Sequence, residues 1–282
     1  MNKNVNTFIA CDASYEESNV VLFGAPFDGT TSFRPGTRFG PNTVRNESDG
    51  LETYSPYLDM DLEDYNTFDA GDLEFPFGNA SVVIDIIEDM TSNVIEDNKI
   101  PFMIGGEHLV TLGAIKAVAK KHPDLHIIHL DAHTDLRDEY MGEKLSHATV
   151  LRRCHDILGD KRIFQFGIRS GMKAEFDFGV RTGFLERQLT NLPKVINQLK
   201  DKPVYITIDL DILDPSIFSG TGTPEPGGIT YNELLECIRE FTFLNNIVGC
   251  DLVELAPHYD QSGVSTAVCA KTIREMTLLL HK

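Results

Sequence analysis

Six short apolar runs alternate with helical patterns along this chain, and four of them are followed within three residues by carboxylates or imidazoles. The runs are Val20–Phe23, Phe102–Ile104, Ile127–Leu130, Ile163–Phe166, Val204–Ile208 and Val248–Val253. They are short for helices and continuously apolar, so they read as strands buried on both faces. Between them, Val83, Ile86, Ile87, Met90 and Val94 follow the spacing of an amphipathic helix. Leu109–Lys121, His147–Leu158, Glu186–Leu199, Tyr231–Phe243 and Ala267–Leu280 read the same way. This alternation predicts an α/β fold, a parallel sheet with helices on both faces. No repeat, low-complexity tract or linker divides the chain, so residues 1–282 read as one domain.

In such a sheet the ligand crevice lies beyond the carboxyl ends of the strands, so the residues just after each strand carry the most information about function. Gly105-Gly106-Glu107-His108 comes after the second run, and Asp131-Ala132-His133-Thr134-Asp135 after the third. Asp209-Leu210-Asp211 comes after the fifth, and Glu254 after the sixth. On an extended chain alternate side chains share a face. Asp131 then shares a face with His133, and with Asp135 if the chain stays extended; Asp209 pairs with Asp211 in the same way. Four carboxylates and two imidazoles would surround a common point.

Without a metal this cluster is costly. At an effective dielectric of about 20, one carboxylate pair about 4 Å apart costs about 4 kcal/mol. Two divalent ions balance four aspartates, and one does not. Oxygen-rich ligands with two imidazoles and no thiolate suit Mn²⁺, with Zn²⁺ or Co²⁺ as substitutes. Two ions about 3.5–4 Å apart can activate a water at neutral pH. For any single acid the plainer role is a helix N-cap, and a turn explains Asp214 before Pro215. His122, His126, His129, His155, His258 and His281 show no partner pattern and read as structural or surface residues, although His129 shares parity with Asp131.

The net charge of −18 argues against nucleic acid or an anionic membrane as partner and is compatible with cationic ligands. No apolar run is long enough to span a bilayer. Met1–Ser14 lacks the pattern of a secretory leader, so a cytoplasmic location is expected. The five cysteines are odd in number, and no two form a C-x-x-C pair, so they read as reduced and mostly buried. The Pro35–Pro41 and Gly220–Pro224 segments are turn-rich loops without a phosphate-binding lysine pattern.

Gly105–His108, Asp131–Asp135, and the run from Thr207 through Asp209, Asp211 and Asp214-Pro215 to Gly220–Pro224 resemble, in order, the three signatures of the ureohydrolase (arginase/agmatinase) family. Pro35–Pro41 and Gly227-Gly228 are similar as well, and the resemblance runs from Val20 to Leu280. It implies a three-layer α/β/α sandwich around an eight-stranded, mainly parallel sheet with a binuclear manganese centre, two Mn²⁺ per chain. One ion would be held by His108, Asp131, Asp135 and Asp209, the other by His133, Asp131, Asp209 and Asp211. Glu254 matches the acid that binds the substrate guanidinium. His147 matches a proton-shuttling histidine at the substrate, and Asp135 would pass a proton to the departing amine. Leu109 and Ala148 stand where Ser and Gly are common, and neither change removes a functional side chain.

The implied activity is hydrolysis of a small cationic guanidino compound by a homo-oligomer, a trimer or hexamer. Agmatine is favoured over arginine because Asp138, Glu139 and Glu143 would form an acidic rim that repels a carboxylate; Arg137 or Lys144 turned inward would weaken this. Arginase and guanidinobutyrase activities are the near alternatives. The remoter ones are a two-metal phosphoesterase, a relative of the single-zinc deacetylases, and a non-catalytic metal-binding protein on the same fold.

Overall fold

The computed structural model describes residues 6–282. The reading of Met1–Ser14 as free of a leader falls partly outside that range. The strands are β1 (Val20–Ala25), β2 (Tyr54–Ser55), β3 (Met60–Asp61), β4 (Thr67–Asp72), β5 (Ile100–Gly105), β6 (His126–Leu130), β7 (Ile163–Phe166), β8 (Phe184–Glu186), β9 (Val204–Asp209) and β10 (Ile247–Val253). The helices are α1 (Gly40–Ser48), α2 (Ala80–Glu96), α3 (Thr111–Lys121), α4 (Val150–Leu158), α5 (Lys173–Thr182), α6 (Leu192–Leu199), α7 (Tyr231–Phe241) and α8 (Val264–Leu280).

Eight strands form one sheet in the order β4-β1-β5-β10-β9-β6-β7-β8, and β2 pairs with β3 in a separate hairpin. Every pairing in the large sheet is parallel. Alternate strand residues feed two cores, as a period of two requires. Leu22, Ile104, Ile128, Ile206 and Leu252 face α1, α6, α7 and α8, while Val21, Met103, Ile127, Tyr205 and Val253 face α2, α3 and α4. This is the expected α/β/α sandwich.

All six expected strands are present, most of them longer by a residue or two. Two more have no legible apolar run. β4 is TFDAGD, whose Asp69 is buried because Arg45 of α1 donates to both of its oxygens. β8 is a three-residue edge strand, and it claims Glu186 from the helix expected to begin there. That helix, α6, starts only at Leu192, with Pro193 in its first turn, where a missing N–H costs nothing. The helices expected at Leu109 and His147 each begin with a short 3₁₀ turn, His108–Val110 and His147–Thr149. α1 and α5 are additions to the expected helices. All five cysteines are free and buried, as expected.

Among the described residues no helix is long and apolar enough to cross a membrane.

Candidate metal centre and active site

The sheet order makes β5, β10, β9 and β6 consecutive neighbours. These are the four strands that end in Glu107-His108, Glu254, Asp209 and Asp131. Their side chains therefore meet at one edge without any long excursion of the chain. Close approach depends on Gly106, where a Cβ would stand 1.9 Å from the Phe27 carbonyl oxygen. The Gly106 carbonyl in turn accepts from Glu254 N at 2.9 Å.

Asp131 and Asp209 fold their loops alike. Asp131 Oδ1 accepts from His133 N at 2.5 Å, and Asp209 Oδ1 accepts from Asp211 N at 2.8 Å. Each carboxylate thus closes a turn with one oxygen and points the other inward. The two-residue spacing comes from this turn and not from continued strand. The chain does not stay extended to Asp135, which has a φ of 53°, and Glu254 has a φ of 69°. Non-glycine residues in the left-handed region carry backbone strain, and here both are acids of the expected catalytic set.

His108 is the hub. Its Nδ1 lies 3.2 Å from Asp131 Oδ2, 3.3 Å from Asp135 Oδ2 and 3.3 Å from Asp209 Oδ2. On the far side of the ring the donors are ordered by a buried acid. The hydroxyl of Thr207 donates to Asp251 Oδ1 at 2.6 Å, and that of Tyr205 donates to Oδ2 at 2.8 Å. The Thr207 oxygen then accepts from His108 Nε2, 2.9 Å away. The ring hydrogen is committed there, and Nδ1 is a buried atom without a hydrogen-bond partner, facing three carboxylates. A cation satisfies that arrangement, so the donor set fits a metal.

A second group lies beside it, with His133 Nδ1 3.0 Å from Asp211 Oδ2 and 3.6 Å from Asp131 Oδ1. Thr223 donates to the same Asp211 oxygen at 3.3 Å. The Asp211 loop is fastened from below by Arg169, whose guanidinium donates to the carbonyls of Asp211 at 2.7 Å and Ile212 at 3.1 Å. His108, His129 and Asp131 also lie close enough to share an ion. His129, however, already has both ring nitrogens engaged, by Asp131 and Gln165.

Burial and the crowding of acids shift the groups of this cluster. Burial, then Asp131, pushes Asp135 up to about 7. Burial, then Asp211 and Asp131, raises Asp209 well above the carboxylate range. Burial opposes the charging of His108, but the three carboxylates that face Nδ1, those of Asp131, Asp135 and Asp209, outweigh it and raise the ring. Burial and the neighbouring Asp211 and Glu107 raise Glu254.

The cluster forms the floor of a 290 Å³ cavity lined by His133, Asp135, Asp209 and Glu254 below and by Ser32, Arg137, Tyr140, His147, Met172 and Glu175 above. Glu254 Oε1 accepts from His108 N at 2.9 Å. His147 Nδ1 lies 3.0 Å from the Thr30 carbonyl. A carbonyl only accepts, so Nδ1 carries the hydrogen and Nε2, 3.3 Å from Ser32 Oγ, is left as the basic nitrogen. Burial lowers His147 to about 4, so the ring is neutral at neutral pH rather than titrating near 6.5 as an exposed histidine would. Thr30 is itself held by Glu107, which accepts from Thr30 N at 2.9 Å and Thr31 Oγ1 at 3.0 Å. The Gly-Gly-Glu-His motif gives no sign along the chain of that support for His147.

Asp138, Glu139 and Glu143 do not line the cavity, so the expected acidic rim is absent from its wall. Asp138 is 2.9 Å from Arg153 instead. Arg137 does turn inward, and Lys144 does not. The Arg137 guanidinium stacks over Tyr140 at 4.4 Å, and its Nε lies 3.6 Å from Glu175 Oε2. Glu175, which no sequence motif marks, also accepts from Thr134 Oγ1 at 2.6 Å and Met172 N at 2.8 Å. His122, His126, His155, His258 and His281 lie away from the cavity lining.

With this geometry in view, comparison with known proteins is decisive. Residues 18–279 match the model of the Arginase family. The chain belongs to the arginase family. This arginase-family chain is 50% identical over 275 residues to the agmatinase of Bacillus anthracis, covering 96% of this chain and 95% of that protein. Its fold superposes on a putative agmatinase from Clostridium difficile with a TM-score of 0.93 and 54% identity, covering 95% and 98% of the two chains. For the agmatine ureohydrolase of Thermoplasma volcanium the TM-score is 0.90 at 34% identity, covering 99% and 95%. The family is one of metal-dependent hydrolases, and this member is a ureohydrolase with candidate metal-ligand groups at its sheet edge.

Proposed function

We propose that the protein is an agmatinase, converting agmatine and water to putrescine and urea, with residues 1–282 acting as one domain. The observation that carries this is the position of Glu254, a buried carboxylate on the cavity floor beside Asp209 and His133, where a guanidinium relieves the cost of its charge. The names of the relatives at about half identity support agmatine in particular. His108, Asp131, Asp135 and Asp209 would hold one Mn²⁺ and His133, Asp131, Asp209 and Asp211 a second, and the pair would supply Lewis acidity that lowers the pKa of water.

The chain's own groups do the rest. Glu254 accepts hydrogen bonds from the guanidinium and orients its central carbon toward the floor. Asp135, on the cavity floor beside Asp209 and Glu254, is placed to carry the proton that the leaving amine needs. His147 takes a proton at Nε2 and exchanges it with solvent through the cavity mouth. The same reading carries a cytoplasmic enzyme working as a trimer or hexamer.

A guanidino acid is the second reading, because Arg137 lines the cavity. The agmatine reading is preferred because Glu175 and Tyr140 already engage that cation. Comparing kcat/KM for agmatine, arginine and 4-guanidinobutyrate under the same Mn²⁺ loading tests the choice. Agmatine is expected to be strongly preferred, and a preference for either carboxylate-bearing compound overturns it.

A further inference from the structure

His129 lies in β6 two residues before Asp131 and is fully buried, on a strand whose neighbours Ile127 and Ile128 are apolar. Its register partner on β7 is Gln165, also buried. His129 Nε2 is 2.7 Å from Asp131 Oδ2. His129 Nδ1 is 3.0 Å from the Gln165 side-chain nitrogen, which is also 2.7 Å from the Thr134 carbonyl oxygen.

The directions of these bonds are forced. The Thr134 carbonyl only accepts, so the amide atom facing it must be the nitrogen and not the oxygen. That nitrogen has two hydrogens: one goes to Thr134 and the other to His129 Nδ1. Nδ1 therefore accepts, the neutral ring carries its hydrogen on Nε2, and Nε2 donates to Asp131 Oδ2. Asp131 Oδ1 already accepts from His133 N at 2.5 Å. Each oxygen of Asp131 thus has one donor from the protein, and its remaining electron pairs are left for the two sides of the cluster, toward His108 Nδ1 and His133 Nδ1.

We infer that Gln165 and His129 form a positioning relay that aims Asp131 between the two metal positions. The inference rests on the reading of Asp131 as a metal ligand. Without the relay, Asp131 Oδ2 loses its protein donor, and the His133 N–H on Oδ1 alone is left to orient the carboxylate. Groups of this kind behind a metal ligand typically contribute about 10–100-fold to metal affinity or activity.

The test uses the full chain with Mn²⁺ as probe. His129→Phe keeps a ring and loses the donor, and Mn²⁺ affinity measured by chelator competition is expected to fall about 10–100-fold. His129→Gln, which can still donate, is expected to recover much of it. Gln165→Glu replaces the donating amide by a group that only accepts, so it reverses the relay with almost no change in volume. Nitrogen NMR of the imidazole should then show the hydrogen leaving Nε2 alone, with weaker Mn²⁺ binding. Wild-type affinity in both His129→Phe and Gln165→Glu, or a wild-type His129 with its hydrogen on Nδ1, overturns the relay while leaving the metal reading intact. A wild-type chain that binds no divalent ion overturns both.

Discussion

At the floor of the cavity, Asp131, Asp209 and His108 are almost wholly buried, and each is fixed by partners on several sides. At the outer wall, Met172 is 49% exposed and nearby Met141 is 82% exposed, while Arg137 relies on a loose 3.6 Å ion pair and a ring face. The floor grows from the ends of four adjacent strands, and the wall from the segments that follow β1, β6 and β7, including the first turn of α5. A rigid strand end determines where charge sits, which the hydrolysis of a guanidinium requires. Loop side chains with few contacts can be exchanged at little cost to the fold, so under the proposed function the wall is where discrimination between substrates is expected.

This contrast can be broken most sharply at Asp209. Asp209→Asn should reduce urea release to background and lower the melting temperature of the Mn²⁺-loaded protein, because a carboxylate expected to face both ions is lost. A rate near wild type would detach the floor from the chemistry.

Removing the metal tests the same region by pH. Asp135 has a folded pKa of about 7, raised by burial first. Its stabilising contribution is therefore full below the unfolded value of about 4 and is lost as pH rises through about 7. Bound metal substitutes for those protons. The gap in melting temperature between loaded and chelator-treated protein should widen from pH 5 to pH 8, as differential scanning measurements at several pH values can check; a gap independent of pH would contradict it.

His147 sits between floor and wall. Since it touches no candidate ligand among its hydrogen bonds to Thr30 and Ser32, His147→Ala should retain the metal and lose about 10²–10⁴-fold in kcat. Loss of manganese in elemental analysis would move His147 to the floor group.

The smallest effect belongs to the wall. Arg137→Ala frees Glu175 for a substrate ammonium and deprives a carboxylate of its cation. The ratio of kcat/KM for agmatine over 4-guanidinobutyrate should rise by up to about tenfold, roughly 1.4 kcal/mol, with little change in metal content. A falling ratio would mean that Arg137 does not act on the tail.

The floor was legible because it is written as adjacency. A strand gives a continuous apolar run, and the residues at its carboxyl end must emerge at one edge of a parallel sheet. The Glu107-His108, Asp131–Asp135, Asp209–Asp211 and Glu254 groups could therefore be placed together from the chain alone, although the turns that aim Asp131 and Asp209 and the left-handed backbone at Asp135 could not. The tertiary structure decided everything that depends on contacts between distant segments. His147 meets Thr30 across 117 positions, and His129 meets Gln165 across 36. Arg137 faces the cavity while Asp138 turns to Arg153. β4 carries the buried Asp69–Arg45 pair where the central strands carry an apolar run. Periodicity reports which face of an element is buried, and it carries no record of which polar partner waits on the other side, since such pairs are chosen by geometry in three dimensions and leave no repeat along the chain.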